Sequence, residues 1–209
     1  MANTQPSKAK LTTLAMVQIA LCTALICVSA QLAIPLPIGV PFTLQVLMVM
    51  LTALILKPLY SVISLLLYVL LGVVGLPVFS GAKSGIGTIL SPTGGFIIGF
   101  VLAAFFVSLL KGVLGRKLGG KLTVVRYIIV TVIIGIPVMY IPGIALYMVY
   151  TGADLVSAIV TLTSVFILLD IAKCVIASLI AVPLNKALAK IYYASFIYLR
   201  ESLKIPYRA

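Results

Sequence analysis

An acidic and a basic residue stand three positions apart in an apolar stretch of the chain. Asp170 and Lys173 lie within the run 168–174, and a spacing of three places both side chains on one face of a helix. Each charge costs a few kcal/mol inside a bilayer unless it is paired or faces a polar cavity. Three interpretations stay open: an ion pair that fixes helix packing, a ligand site, and a proton relay. As a ligand site, the carboxylate accepts two N–H bonds side by side and the ammonium donates to a carbonyl or carboxylate.

The segment 75–95 is a second candidate because it is rich in glycine and contains two prolines. Glycine allows backbone N–H and C=O groups to approach a ligand closely. Irregular backbone near a membrane is tolerated only where it is buried in protein or lines a cavity. The apolar residues that predict a segment folded back onto the helices are Phe79, Ile86, Ile89 and Leu90. The alternative is a merely permissive loop. We expect the proline-rich loop 35–41 to form the other half of a lid over the same opening.

Small residues four positions apart form a third candidate on the first apolar stretch. Ala20 and Ala24 have this spacing, which lets another helix pack closely against the one that carries them. The partner helix lies either within the same bundle or in another subunit, and spacing alone favours neither.

These residues must be positioned by membrane-spanning helices. The chain has 209 residues, of which 63% are hydrophobic and 9% are charged, whereas a soluble domain has about a quarter charged residues. This composition excludes a water-soluble enzyme, a nucleic-acid-binding module and a disordered chain. Histidine is absent and the three cysteines lack ligand spacing, so we expect no metal site and no cofactor. No nucleophile and base are paired, so we do not expect an enzyme.

We predict an all-α integral membrane protein with six spanning helices and structured external loops. Segment 1–10 is expected to be cytoplasmic, 11–183 to form the membrane domain with an external ligand site, and 184–209 to form a cytoplasmic or interfacial amphipathic helix and tail. Asp154 is expected to cap the N-terminus of the sixth helix. The six predicted spans are 11–34, 42–56, 59–74, 96–114, 127–150 and 155–182.

The positions of the basic residues predict how the spans are oriented. With both termini in the cytoplasm, 13 of the 15 Lys and Arg residues fall in cytoplasmic segments, only Lys83 falls outside, and Lys173 lies within the sixth span. This asymmetry is the positive-inside pattern. It explains the net charge of +12 by contact with the lipid bilayer and leaves no reason to expect nucleic acid. A hairpin of the second and third spans that did not cross would disrupt the asymmetry.

Several motifs in the chain match a known family. They are Leu76-Pro77-Val78-Phe79-Ser80-Gly81, Gly85-Ile86-Gly87 and Ser91-Pro92-Thr93-Gly94-Gly95-Phe96-Ile97-Ile98-Gly99-Phe100. With Pro41-Phe42-Thr43-Leu44-Gln45 and the Asp170/Lys173 pair, the chain resembles the BioY family over most of 31–183. Members are the biotin-specific substrate-binding (S) components of energy-coupling factor (ECF) vitamin transporters. Ser91 and Leu169 depart from the pattern, because each stands where the family has glycine.

The resemblance implies six helices, a bacterial plasma membrane, and a high-affinity site near the external face that the first and third external loops cover. It implies biotin as the ligand. It also implies a separate module of one transmembrane scaffold subunit and two ATPase subunits, and the chain carries no nucleotide-binding motif of its own. The family's pair of small residues on the first helix contacts the scaffold, and Ala20 and Ala24 match that pair.

The chemistry of biotin suits the charged pair. Biotin offers two urea N–H donors, a urea carbonyl, an apolar thioether ring and an aliphatic acid tail. We hypothesise that Asp170 and Lys173 hold the ureido head with help from Gln45 or loop backbone, and that Lys83 or Ser84 meets the tail carboxylate. The expected ligand-binding residues are Asp170, Lys173, Gln45, Phe79, Ser80, Gly81, Lys83, Ser84 and Gly87.

Two other functions remain alternatives. An ion-coupled secondary transporter of a small organic solute would use Asp170 as its protonatable group, and uptake into vesicles that have a proton gradient but no ATPase would identify it. A membrane enzyme acting on lipid-linked substrates would need polar residues near the cytoplasmic face, where the sequence offers only simple cations.

Overall fold

Helices make up most of the part of the chain that the structure describes. The computed structural model describes residues 13–118 and 122–202, with side chains for 13–114 and 122–191; the predicted segment 1–10 therefore lies outside the described residues. The elements are α1 (Thr13–Gln31), β1 (Ala33–Ile34), β2 (Phe42–Thr43), α2 (Gln45–Ile55), α3 (Pro58–Val73), α4 (Ile86–Ile89), α5 (Gly94–Leu118), α6 (Thr123–Ile129), a π-helical turn (Val130–Gly135), α7 (Ile136–Thr151) and α8 (Leu155–Ser202). The two strands pair antiparallel, Ala33 with Thr43 and Ile34 with Phe42, and close the proline-rich loop.

Each predicted span coincides with a helix, but two of the helices are short. Among the described residues, four stretches are long and apolar enough to cross a membrane: Thr13–Gln31, Gly94–Leu114, Thr123–Thr151 and Leu155–Ile191. Helices α2 and α3 have 11 and 16 residues. At about 1.5 Å per residue, neither reaches the thickness of a bilayer core of about 30 Å on its own.

Proline interrupts the helices less than the sequence suggested. The predicted separate helix beginning at 184 does not exist, because α8 continues through Pro183. Proline removes one backbone hydrogen bond, yet transmembrane helices tolerate that loss where neighbouring groups satisfy the freed carbonyl. In the fifth predicted span, Pro142 lies inside α7 and Pro137 lies in its first turn. A π-helical turn, 130–135, comes before α7 and accommodates Pro137 there.

Asp154 caps the N-terminus of α8, as predicted. Its Oδ2 accepts the backbone N–H groups of Val156 at 3.1 Å and Ser157 at 3.2 Å. The Ser157 hydroxyl donates to Oδ1 at 2.6 Å. These bonds stabilise the charged carboxylate and hold the pKa of Asp154 below its usual range.

Helices α5 and α7 pack backbone to backbone because glycines lie at their crossing. A Cβ atom at Gly95 would lie 2.1 Å from the carbonyl oxygen of Pro142, and one at Gly99 would lie 2.5 Å from that of Met139. Gly143, on α7, is covered in turn by the ring of Phe96. These three glycines are therefore packing positions. This close crossing brings α7 deep into the bundle.

The C-terminal end of the short helix α2 is buried in the bundle, where side chains from α5 and α8 satisfy its carbonyls. Lys111 Nζ donates to Ala53 O at 2.7 Å and Leu56 O at 2.6 Å. Ser108 also donates to Leu56 O, at 2.6 Å, and Asn185 Nδ2 donates to Leu54 O at 3.0 Å. A cation at the negative end of a helix dipole is favourable. Lys111, which the sequence places among the cytoplasmic cations, thus has a structural function.

Candidate functional site

Asp170 and Lys173 form a buried ion pair on α8. Lys173 Nζ donates to Asp170 Oδ1 at 2.9 Å. Lys173 is only 5% exposed and Asp170 only 4%. Tyr140 OH, on α7, donates to Asp170 Oδ2 at 3.0 Å. The carboxylate thus receives one bond on each oxygen, and a carboxylate has about four acceptor positions in all. About two of these positions remain for a ligand's N–H groups.

The ammonium of Lys173 also lies over an aromatic ring. Its Nζ is 4.1 Å from the ring centroid of Phe42 in β2, a distance at which a cation is attracted to a ring face. An ammonium has three donors, and one goes to Asp170. Lys173 can therefore donate to a ligand carbonyl while it keeps the ion pair.

A cavity of about 50 Å³ lies beside this pair. Its polar lining is Thr43, Gln45, Ser80, Thr88, Thr93, Asp170 and Lys173, and its apolar lining is Val40, Pro41, Val46, Phe96, Ile97, Phe100 and Phe166. The pair is therefore not closed off by packing. Residues from the proline-rich loop and from segment 75–95 meet here, as the sequence predicted for two halves of a lid.

Gln45 borders the cavity at the N-terminus of α2. Its Nε2 donates to Tyr68 OH at 2.7 Å, and its Oε1 accepts the hydroxyl of Thr43 at 3.2 Å. Gln45 is only 4% exposed, so these bonds fix its rotamer next to the charged pair.

Ser80 and Lys83 lie at the outer side of the cavity. The Ser80 hydroxyl oxygen is buried and makes no hydrogen bond to any residue that the structure describes. A second hollow of about 390 Å³ is lined by Ser80, Gly81 and Lys83 and, on its other side, by residues of the proline-rich loop. Ser80 and Pro41 line both spaces, so the two spaces adjoin at these residues.

Phe79 is part of the core and does not line the cavity. Its side chain is fully buried, packs over Gly72 and meets the ring of Tyr68 edge-on with centroids 5.5 Å apart. The predicted fold-back of segment 75–95 rests on this residue and on Ile89, which is partly buried against the core. Ile86 and Leu90 are 58% and 60% exposed and do not contribute to it.

The structure does not bring Ser84 and Gly87 to either space. Both residues are exposed. Ser84 O accepts a hydrogen bond from the Thr88 hydroxyl at 3.0 Å, which orders the short helix α4 and leaves Thr88 at the cavity.

Tyr140 and the aromatic wall were not predicted as site residues. Tyr140 lies 30 positions before Asp170 and contacts it only because α7 crosses close to α5 and α8. Phe96 and Phe100 lie one helical turn apart on α5 and face the cavity. The position of Tyr140 between two helix prolines is the one sequence signal that marks it, and that signal does not name its partner.

Ala20 and Ala24 face away from the bundle. Both are exposed, and the neighbouring residues Val17, Leu21 and Val28 are each about 60% exposed. The buried face of α1 is formed by other residues, among them Ile19 and Ile26. Packing within this bundle is thus not the function of the small pair.

Three comparisons place the chain among known proteins. A family model described as the BioY family matches residues 3–190. The biotin transporter BioY of Thermotoga maritima is 38% identical over 164 residues, which are 78% of this chain and 91% of that protein. The probable biotin transporter BioY of Pyrococcus horikoshii is 40% identical over 164 residues, with the same shares of both chains.

A solved structure has the same fold. The crystal structure of the S-component for biotin from an ECF-type ABC transporter superposes with a TM-score of 0.75 at 27% identity, covering 82% of this chain and 90% of that chain. The family model spans the loops, the charged pair and the helices that position them. This chain belongs to the BioY family.

Proposed function

We propose that this protein is the biotin-binding S component of an ECF-type vitamin transporter. One observation carries the proposal: in a member of the BioY family, a buried Asp170–Lys173 pair lines a cavity. A buried ion pair with no ligand to serve is often no more stable than a packed apolar pair. Two buried charges beside a cavity are typical of a ligand site that binds a polar group at the charges and an apolar group along its walls.

The ureido head of biotin fits the unused hydrogen-bonding capacity of the pair. The two urea N–H groups donate to the remaining acceptor positions of Asp170, and the urea oxygen accepts from Lys173 Nζ. Gln45 is held too firmly by Tyr68 and Thr43 to turn freely, so it acts as a fixed wall. The apolar bicycle lies against Phe96, Phe100 and Phe166, which supply the hydrophobic part of the affinity.

The acid tail points towards the outer hollow. Ser80, whose buried hydroxyl oxygen lacks a partner among the described residues, lies between the cavity and that hollow. Lys83 and Gly81 border the hollow. Lys83 therefore provides the positive charge for the tail carboxylate, and Ser80 contacts the tail as it passes.

We place the protein in the bacterial plasma membrane with six crossings and both termini cytoplasmic. The residues flanking Lys57, Lys111, Arg126 and Lys186 meet at one end of the bundle, where Asn185 bonds Leu54 O and Tyr127 OH. Under the positive-inside rule this end is cytoplasmic. The loops that border the cavity then lie outside. With 11 residues, α2 covers only part of the bilayer thickness, and the residues that flank it complete this crossing.

Transport requires two ATPase subunits and a scaffold subunit, and α1 contacts the scaffold subunit through Ala20 and Ala24. The exposure of both alanines on an apolar helix face supports this docking, because small residues let a partner helix approach closely. Capture outside is followed by closure of the loops and movement of the loaded bundle against the scaffold.

Isothermal calorimetry on the detergent-purified chain tests the ligand. Biotin should bind with a submicromolar dissociation constant, whereas thiamine and riboflavin, which lack a ureido ring, should give no measurable heat. A chain that bound another vitamin more tightly than biotin, or bound none, would refute the assignment.

ATP-driven uptake tests the docking surface. Ala20→Phe and Ala24→Phe should leave biotin binding unchanged and abolish uptake by the assembled transporter. Ala145→Phe is the matched control, because Ala145 is an exposed alanine on α7, and it should leave both binding and uptake intact. Uptake that survives both α1 replacements rules out this docking surface.

A further inference from the structure

We propose that Gln31 is a positioning residue that clamps the loop 77–82 over the biotin site and ties that loop to α1. The inference rests on the proposed function for its consequence and on geometry for the clamp itself. Gln31 is the last residue of α1, the helix whose outward face carries Ala20 and Ala24.

One amide group holds three backbone positions of the loop. Gln31 Nε2 donates to Pro77 O at 3.1 Å and to Phe79 O at 3.3 Å. Gln31 Oε1 accepts the N–H of Ala82 at 3.1 Å. The side chain therefore replaces a neighbouring strand for a stretch of backbone that has none.

The clamped segment is a tight turn that depends on such support. Phe79 N–H donates to Lys83 O at 3.0 Å and closes the turn. Gly81 has φ 70° and Ala82 has φ 59°. The left-handed region is unfavourable for alanine, and Ala82 is the only non-glycine residue with positive φ among those described. The bond from Ala82 N–H to Gln31 offsets that strain.

The clamp determines the position of Ser80 at the border of the biotin site. Phe79 anchors one end of the turn in the core, and Ser80, the next residue, lines both the inner cavity and the outer hollow. Gln31 holds the other end. Together they fix Ser80, which with Pro41 lines both spaces; we call these two residues the partition.

Ligand passage requires this partition to move. The inner cavity of about 50 Å³ has room for a few water molecules, whereas sites that bury a small organic ligand measure about 300 Å³ or more. The Gln31 side chain is exposed, so water competes for its bonds and each contributes little net stability. The clamp is therefore the support of the partition that opens most readily, while the buried ring of Phe79 acts as the fixed end.

The same clamp links ligand capture to α1. Gln31 is the last residue of the helix that carries Ala20 and Ala24. A shift of α1 at its docking surface therefore moves Gln31 and, through its three hydrogen bonds, the loop 77–82. When the three bonds to Gln31 break, the end of the turn that contains Lys83 can move.

Limited proteolysis of the full chain in detergent, without biotin, tests the clamp. Trypsin cleaves after Lys83 only when the turn opens. The initial rate at which the fragment ending at Lys83 appears therefore measures how readily the turn opens. Gln31→Ala removes all three hydrogen bonds to the loop, and Gln31→Glu replaces the two donated bonds by a carboxylate that faces carbonyl oxygens. Each replacement should raise that rate about tenfold. Leu32→Ala is the control: Leu32 is adjacent and 57% exposed, and its replacement should leave the rate unchanged.

Amide hydrogen exchange over 77–83 provides a second measurement in the same samples. Exchange there should accelerate in both Gln31 variants and remain as in the unmodified chain over α5. Equal cleavage and equal exchange in the Gln31 variants and the control would overturn the proposal. A Gln31 variant that accelerated exchange throughout α5 would also overturn it, because Gln31 would then support the whole fold.

Biotin kinetics test the consequence for the site. The Gln31 variants should release biotin about tenfold faster and should also bind it faster, because passage in either direction requires the partition to open; an unchanged release rate would overturn the gating function. If the unmodified chain failed to bind biotin, the proposed function would fall, while faster cleavage after Lys83 would still establish the clamp.

Discussion

The most informative perturbation is the replacement of Asp170 by asparagine, because it removes the charge and keeps the shape. The asparagine oxygen still accepts the hydroxyl of Tyr140, which donates at 3.0 Å to Asp170. Its NH₂ group, however, faces the urea N–H groups of biotin and the ammonium of Lys173, and donors placed opposite donors repel. The variant therefore isolates the acceptor capacity of the carboxylate.

Two separate costs follow from the geometry. Hydrogen bonds to a charged group contribute about 1.5–3 kcal/mol each, so loss of one or both urea bonds weakens biotin binding by about 3 kcal/mol, or about a hundredfold. The second cost falls on stability. Lys173 loses its partner at 2.9 Å, and breaking a buried pair from one side costs about 3–5 kcal/mol.

A double variant separates the two costs. Asp170→Asn with Lys173→Met removes both charges, which restores most of the thermal stability lost by Asp170→Asn, since a neutral buried pair leaves no uncompensated charge. It should still fail to bind biotin in calorimetry. Asp154→Asn is the control for carboxylate loss, because Asp154 is an exposed helix cap and asparagine caps equally well. If the double variant bound biotin like the unmodified chain, the assignment of the pair to the site would be wrong.

Three further replacements have predictable effects. Tyr140→Phe removes one bond to the Asp170 carboxylate and should weaken biotin binding about tenfold in calorimetry. Gly99→Ala forces a Cβ to within 2.5 Å of Met139 O; it should cost about 1–3 kcal/mol and lower the melting temperature by several degrees. Lys111→Met leaves Ala53 O without its described donor and should lower the melting temperature similarly, because an unsatisfied buried carbonyl costs about 1–3 kcal/mol.

Matched controls exist for the glycine and lysine replacements. Gly112 lies on the same helix as Gly99 with open space at its Cβ position, so Gly112→Ala should be neutral or slightly stabilising. Lys57→Met removes an exposed cation near the same end of α2 and should leave the melting temperature unchanged. Equal effects of Lys57→Met and Lys111→Met would contradict the capping function, and unaltered binding by Tyr140→Phe would remove Tyr140 from the site.

The positions of the main helices could be predicted because apolar length decides them, whereas the count of six crossings stays a prediction. Runs of about 20 apolar residues broken by proline, glycine or lysine leave few choices for helix ends. The prediction was wrong at Pro183, where α8 continues. A local preference against proline is outweighed when the surrounding helix is long and its lost hydrogen bond is tolerated.

The site could be predicted in part. An acid and an amine three residues apart in an apolar run are costly unless they act together, so Asp170 and Lys173 stood out. Gln45 and Ser80 came from the family resemblance, and both line the cavity. Gly87 came from the same resemblance and Ser84 from the hypothesis about the tail carboxylate, and neither lines the cavity.

The remaining contacts depend on distances that no local pattern encodes. Tyr140 reaches Asp170 only because glycines let α5 and α7 approach closely. Lys111 looks like a membrane-flanking cation, but it satisfies carbonyls more than 50 positions away. Gln31 pairs with a loop 46–51 positions later. In each case one polar side chain finds a partner that only the folded bundle brings near.

The central claim is that the ureido ring of biotin lies against Asp170 and Lys173. Determining the structure of this chain with biotin bound tests it most directly. Both urea nitrogens should lie within about 2.7–3.2 Å of the Asp170 carboxylate oxygens. The urea oxygen should lie at the same distance from Lys173 Nζ, and the tail should run past Ser80 towards Lys83. A ureido ring in the outer hollow, with the Asp170–Lys173 pair untouched, would contradict it.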